Sequence, residues 1–270
     1  MDLEVVREQW EMQGAVPTGY ATALAEVRRA VALVAAASKA LLGEAGASLD
    51  WLADARAFAT PVVAGKSGFR LALAPAQLLL QVTDADGKPQ HHLALAGQSP
   101  ADAWRWLGEQ SAALGKPLAG SPASGAAFAF GPEAAFEDIA RSYGNAARAL
   151  LCVRALAKTD EAVRVAPDAL HVVCGVAFGG GQSVGLGYAP GDAECDEPYF
   201  YAKPCPLPAY DADALGELEG GGEWKTDGSW FGCLLRRPDW VWYDAEQLQA
   251  GAAVSFLDSC IDATRALVEK

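Results

Sequence analysis

Residue types and spacings that could support chemistry gather between positions 171 and 242. Gly181-Gln182-Ser183-Val184-Gly185 fits the G-x-S-x-G pattern of a nucleophile elbow. In that motif a serine sits on a sharp strand-to-helix turn and a histidine later in the chain takes its proton. Here Leu186-Gly187-Tyr188-Ala189-Pro190 reads as a second strand, and no histidine follows His171. The match is therefore expected to be a hairpin turn. Gly179-Gly180-Gly181 has neither a G-K-[ST] after it nor a helix start to face an anion, so the same hairpin accounts for it. Lys225-Thr226-Asp227-Gly228 lacks the S-x-x-K partner that a catalytic K-T-G element requires.

Metal chemistry finds no support in the spacing. His91 and His92 are strand neighbours on opposite faces, and His171 and Cys174 are again on opposite faces of a strand. Asp192, Glu194, Asp196 and Glu197 form an acidic loop without an EF-hand pattern, which reads as a solvated turn. No metal and no cofactor are expected.

What remains is a sheet face. Along 170–178 the even-numbered residues are apolar, leaving His171, Val173, Gly175 and Ala177 on the other side. Gly185, Gly187 and Ala189 leave the next strand similarly bare. Interior strand glycines weaken a sheet and often mark the close approach of a ligand or another backbone. Tyr199 and Tyr201 share a face two strands on, and Trp240 and Trp242 are expected to do the same further along. Ligand binding is thus assigned to His171, Gly175, Gly185, Gly187, Trp240 and Trp242. A long alanine-rich helix packed over the same floor is the alternative. The best functional reading is a non-catalytic small-ligand-binding or interaction protein. An enzyme using His171 for acid–base work, helped by Tyr199 or Tyr201, is the second reading. No carboxylate stands at a telling spacing from His171, which favours the first.

The elements that must position these residues follow from periodicity. A helix is expected from Tyr20 to Leu42, with Gly43 to stop it. Strands are expected at 58–63, 69–74 and 78–82, with Asp84-Ala85-Asp86-Gly87 turning the last back onto 91–96. Ser99 and Pro100 open a helix that ends near Gly115. Residues 116–131, rich in Ala, Gly, Ser and Pro, read as a linker. Pro132 opens a second long helix with an apolar stripe from Phe136 to Leu151. Strands are expected at 170–178, 184–188, 199–202 and 229–235, before a last helix after Asp244. Strands grouped between helices point to an α+β fold with largely antiparallel sheets and flanking long helices. The whole, 1–270, is read as one globular domain, with two halves, 18–115 and 132–268, as a possible duplication.

Several of these segments resemble an uncharacterised bacterial family, a domain of unknown function. They are the strand and turn at 79–87, Ser99-Pro100-Ala101-Asp102, Phe136-Glu137-Asp138 with Ser142-Tyr143, Tyr199-Phe200-Tyr201-Ala202-Lys203-Pro204, and the closing helix at 256–267. The family's Pro-Val-His-Phe-Phe-Trp-Gly-like strand is matched by Leu170-His171-Val172-Val173-Cys174-Gly175, which keeps the histidine and glycine and replaces the aromatics with smaller groups. The resemblance implies a divergent member, a bacterial origin and a shared fold. It brings no activity.

The bulk composition excludes other classes. A formal charge of −13 with no basic run repels phosphate backbones and anionic membranes, so neither is expected as a partner. The start, Met1-Asp2-Leu3-Glu4, lacks a signal-peptide pattern, and the apolar run 30–42 is short of the roughly 20 residues that span a bilayer. Six cysteines without C-x-x-C pairing read as small apolar groups of a cytoplasmic protein, with Cys195 and Cys205 able to pair only on oxidation. A small-molecule ligand and a homo-oligomer are left open.

Overall fold

The computed structural model describes residues 1–120, 124–209, 215–226 and 230–268. The described chain is α+β, with antiparallel sheets and long helices, as the element grouping predicts. It divides into two compact units, each assembled from separate stretches of sequence. The first comprises Met1–Ala15, Ser142–Val163 and His171–Lys270; the second comprises Val16–Arg141 and Arg164–Leu170.

The second unit carries the long helix α2 (Tyr20–Leu42), preceded in the chain by the short α1 (Leu3–Gln9) of the other unit. Val27, Ala30, Val31, Val34 and Ala37 bury one face of α2, and Gly43 ends it at a positive φ of 61°. A meander follows, of β1 (Asp50–Leu52), β2 (Ala57–Ala59), β3 (Phe69–Ala74), β4 (Leu79–Asp84) and β5 (Pro89–Ala94), each antiparallel to the next. The turn at 84–87 is built as expected. Asp84 Oδ1 accepts from the amides of Asp86 and Lys88, and Gly87 takes a φ of 92°. Helix α3 (Pro100–Ala113) opens on a reciprocal cap: Ser99 Oγ accepts from the Asp102 amide, and Asp102 accepts from the Ser99 amide. The strand expected at 58–63 is shorter than its apolar run. The strand proper is 57–59; Pro61, with no N–H, interrupts it, and Val63 then pairs with Phe69 as an isolated bridge.

The first unit is built on β7 (His171–Gly179), β8 (Gln182–Ala189), β9 (Tyr199–Cys205), β10 (Glu223–Lys225) and β11 (Gly232–Arg236), after the short β6 (Arg164–Ala166) of the other unit. The strands lie in the order β10-β11-β9-β8-β7, all antiparallel. Hairpin β7–β8 turns through Gly179, Gly180 and Gly181, all at positive φ, which accounts for the glycine run, and the elbow-like Ser183 lies on β8 opposite Ala177. The strand expected at 229–235 is β11; its first residue, Ser229, lies outside the described residues.

Val172, Cys174, Val176, Leu186, Tyr188, Phe200 and Ala202 form the buried face of this sheet. Helices cover that face. Tyr143 of α4 (Glu133–Leu156) meets Tyr188 edge-on, with ring centroids 5.5 Å apart. Trp240 of α5 (Arg237–Val241) meets Phe200 at 5.1 Å, and Cys260 of α6 (Glu246–Val268) lies against Cys233.

A buried polar knot joins the N-terminal segment to these helices. Gln249 Oε1 accepts from the Gln13 amide at 3.1 Å and from Trp10 Nε1 at 3.4 Å. Gln249 Nε2 donates to the carbonyls of Gln13 and Tyr243. Gln13 Nε2 donates to Ser142 Oγ at 2.7 Å, and Gln13 Oε1 accepts from Trp240 Nε1 at 3.2 Å. Every polar atom of both glutamine side chains is used, as burial demands. Among the described residues no helix is long and apolar enough to cross a membrane.

Candidate functional site

The opposite sheet face carries the residues with chemical potential. Register aligns Val173 with Gly187 and Gly187 with Tyr201, and one step along aligns Gly175 with Gly185 and Gly185 with Lys203. His171 and Tyr199 stand at the same end of this face, beside the loop that connects β8 to β9.

That loop folds back onto the sheet through Asp192. Its amide donates to the Cys195 carbonyl at 2.8 Å, and its Oδ1 accepts from the amides of Glu194 and Cys195 at 2.9 and 3.3 Å. Gly191 makes the bend: its φ is 107°, and a Cβ there would stand 2.9 Å from the Asp196 carbonyl oxygen. So oriented, Asp192 Oδ2 lies 3.1 Å from His171 Nε2 and accepts from Tyr199 Oη at 2.8 Å. His171 Nδ1 lies 3.2 Å from Tyr201 Oη. The carboxylate, the imidazole and two phenols form one connected chain.

The electrostatics set the proton positions. Burial pushes the Asp192 carboxyl up, but bonds from Tyr199 and the Glu194 and Cys195 amides, with the nearby His171, outweigh it and hold the group below the usual carboxylate range. Burial first, and then the bond to Asp192, drives the Tyr199 hydroxyl far above its ordinary value. Burial and the Asp192 charge push Tyr201 up to about 12. Both phenols are therefore protonated donors at neutral pH. An ionised Asp192 accepts a hydrogen bond from His171 Nε2, and in that tautomer Nδ1 is the acceptor for the Tyr201 hydroxyl. The chain runs Tyr201 O–H to His171, and His171 N–H to Asp192. Among the described residues, the bond to His171 is the only hydrogen bond of Tyr201 Oη, so lone-pair capacity on that oxygen is left over.

The floor beneath is less bare than the alternation predicts. Tyr201 lies across Gly187, where a Cβ would come within 2.4 Å of the ring; at Gly232 a Cβ would meet the Ala202 carbonyl oxygen at 2.4 Å and the Trp230 ring at 2.8 Å. Ala189, Tyr199, Trp230 and Leu234 make a second small core on this face, with Cys195 and Tyr201 packed against it. Lys203 and Lys225 each hold an ammonium 5.9 Å from the Trp230 ring. Gly175 and Gly185 differ. A Cβ at 175 would meet only the Glu161 stem, at 3.7 Å, and one at 185 only the Lys203 carbonyl, at 3.8 Å.

The structure thus brings together His171, Tyr199 and Tyr201, with Gly175, Gly185 and Gly187 beside them. It does not bring the tryptophans. Trp240 was expected on a strand of this face; Pro238 instead starts helix α5, which puts its indole on the opposite, buried face. Trp242, just past that helix, is 85% exposed. The helix expected over the glycines covers the other face instead, and at Gly187 its place is taken by the Tyr201 ring. The residue sequence reasoning missed is Asp192, read as part of a solvated loop but only 26% exposed. A Gly-Asp pair after a strand signals a turn closed by its own side chain, but nothing local ties it to a histidine 21 residues earlier. Among the described residues no three His, Cys, Asp or Glu side chains gather to hold a metal ion.

Comparison with known proteins finds no counterpart: no family model, no curated protein and no solved structure matches the chain.

Proposed function

We propose that this protein is a small-ligand-binding protein whose ligand lies on the paired glycines Gly175 and Gly185 and hydrogen-bonds to Tyr201. The observation that carries this reading is that Tyr201 Oη, half-buried and held by His171, keeps an acceptor position beside two interior strand glycines that nothing in the fold requires. Gly187 and Gly232 make room for aromatic rings; Gly175 and Gly185 make room for neither ring nor backbone. The ligand presents a donor to Tyr201 and a flat body to the glycines, with Lys203, next in register, as a rim cation. Both His171 nitrogens are engaged by protein groups, so His171 orients Tyr201 rather than meeting the ligand.

An acid–base enzyme is the second reading, and one observation favours it. Asp192 supplies the carboxylate partner for His171 that the sequence left missing, completing a carboxylate–imidazole–hydroxyl chain. In that reading Tyr201 Oη would be the reacting group; its raised pKa leaves it a weak nucleophile at neutral pH.

One experiment separates the readings. A thermal-shift screen of metabolites is run on the wild type, Gly185→Val and Tyr201→Phe. A binder stabilises the wild type by about 2.7 kcal/mol at a hundred times its Kd, less in Tyr201→Phe and not at all in Gly185→Val. Equal stabilisation of all three proteins, or none of the wild type, sinks the proposal. Chemical conversion of the stabilising compound, lost in His171→Gln, transfers the site to the enzyme reading. The reading keeps the protein in the cytoplasm and in the bacterial family named above, supported by burial of Cys152, Cys174, Cys233 and Cys260 as small apolar groups and by the segments quoted for the resemblance.

A further inference from the structure

A cavity of about 560 Å³ opens at the end of α4, lined by Met1, Leu151, Arg154, Ala155, Lys158 and Asp160, with Thr159 between the last two. Positions 151, 154, 155 and 158 recur at the i, i+3, i+4, i+7 spacing of one helix face, carried one turn past the end of α4. We propose that this cavity binds a small organic monocarboxylate, its anionic head on Arg154 and Lys158 and its carbon body on Leu151 and Ala155.

The first support is an absent partner. The protein carries 34 acidic residues against 21 basic ones, so a cation here has every opportunity to pair. Arg154 nonetheless makes no ion pair and no side-chain hydrogen bond among the described residues, and its buried Nε has no acceptor. A buried donor left unbonded is destabilising, and an incoming oxygen removes that cost. Lys158 is equally unpaired, and exposed. The guanidinium's flat row of donors fits the two oxygens of a carboxylate.

The backbone clears the way for an anion. A helix C-terminus normally presents open carbonyls, which repel negative charge. Here the Ala155 carbonyl accepts from the Lys158 amide at 3.3 Å and the Arg154 carbonyl from the Thr159 amide at 3.2 Å. Lys158 sits at φ 53°, the position where helices usually carry glycine. A lysine stands where glycine would be unstrained, and its side chain lines the cavity.

Shape and sign select the class. Arg154, Lys158 and the Met1 amino group outweigh Asp160 among the lining charges, so the cavity favours an anion. A carboxylate with a carbon body meets both the cationic and the apolar wall, which a bare phosphate does not. The cavity is also far larger than a bare oxyanion, and two of its walls, Leu151 and Ala155, are apolar.

The test is a titration of the full chain with acetate, butyrate, benzoate and inorganic phosphate, followed by the arginine Nε–H signals in ¹H–¹⁵N spectra. The Arg154 signal is identified by its loss in Arg154→Lys. It is expected to move saturably with butyrate or benzoate, more weakly with acetate. Arg154→Gln should weaken binding about tenfold, the loss of one charge-assisted contact, and Lys158→Gln about threefold, with melting temperatures of both variants within a few degrees of wild type. No saturable movement with any carboxylate overturns the proposal. So do unchanged affinity in both variants, and tighter binding of phosphate than of butyrate.

Discussion

Tyr201 lies flat across Gly187, its directly paired neighbour on β8, so closely that a methyl group at 187 would stand 2.4 Å from Cζ. From this position its hydroxyl reaches His171 Nδ1 at 3.2 Å. Gly187→Ala is therefore expected to destabilise the protein by about 1–3 kcal/mol, the usual cost of overpacking, and to break the His171–Tyr201 bond. Gly185→Ala, where the new methyl meets nothing closer than 3.8 Å, should be neutral or stabilising by up to about 1 kcal/mol. Urea titrations of the two variants check the contrast, and equal loss in both would contradict it.

Asp192 gives the fold an acid limit. Its carboxyl is held below the unfolded value by Tyr199, the loop amides and His171. The stability it contributes is thus fully present above the unfolded pKa of about 4 and is lost as pH falls through the lower folded value. Asp192→Asn should be less stable than wild type at pH 6, with the difference shrinking as pH drops below about 4. Unfolding curves from pH 6 to 2.5 measure it; a constant difference would remove the carboxylate from the account.

Tyr201 works at the opposite end. Its pKa is raised to about 12 by burial and by the Asp192 charge, so the unfolded chain ionises first, near 10. The stability is present below pH 10 and declines between 10 and 12. Tyr201→Phe should flatten this alkaline loss, and its absorbance titration should lack a phenol that ionises near 12. An unaltered alkaline profile would show that Tyr201 ionises as freely folded as unfolded.

Trp240 and Trp242 should behave oppositely. Truncating the fully buried Trp240 to Ala should cost about 3–5 kcal/mol, since it removes the Phe200 contact and leaves Gln13 Oε1 without its donor. Trp242→Ala, at 85% exposure, should stay within about 0.5 kcal/mol of wild type. Gln249→Leu should cost at least about 2 kcal/mol, because the Gln13 amide and two carbonyls lose buried partners. Thermal melts of the three variants rank them.

The fold was largely readable because its signals are local. The Tyr20–Leu42 stripe, the Ser99–Asp102 cap, the Asp84–Gly87 turn and the glycine hairpin at 179–181 each carry their structure within a few residues. The site was half readable. Alternation placed His171, Gly175, Gly185, Gly187, Tyr199 and Tyr201 on one face, because side chains along a regular strand alternate. Asp192 was invisible because a loop's return path is set by tertiary contacts. The tryptophans were misplaced for a local reason: Pro238 turns an apparent strand into a helix, and a period of two no longer applies.

The knot between Gln13 and Gln249 has a consequence for how the chain is made. These residues stand 236 positions apart, so the N-terminal segment emerges from the ribosome long before its partner exists. At about 5–20 residues per second, Gln13 waits on the order of 10–50 s for α6. By then all of the unit formed by 16–141 and 164–170 has been synthesised. The order of assembly is thereby dictated: the interior stretch of the chain can fold during synthesis, and the unit that joins both ends closes last.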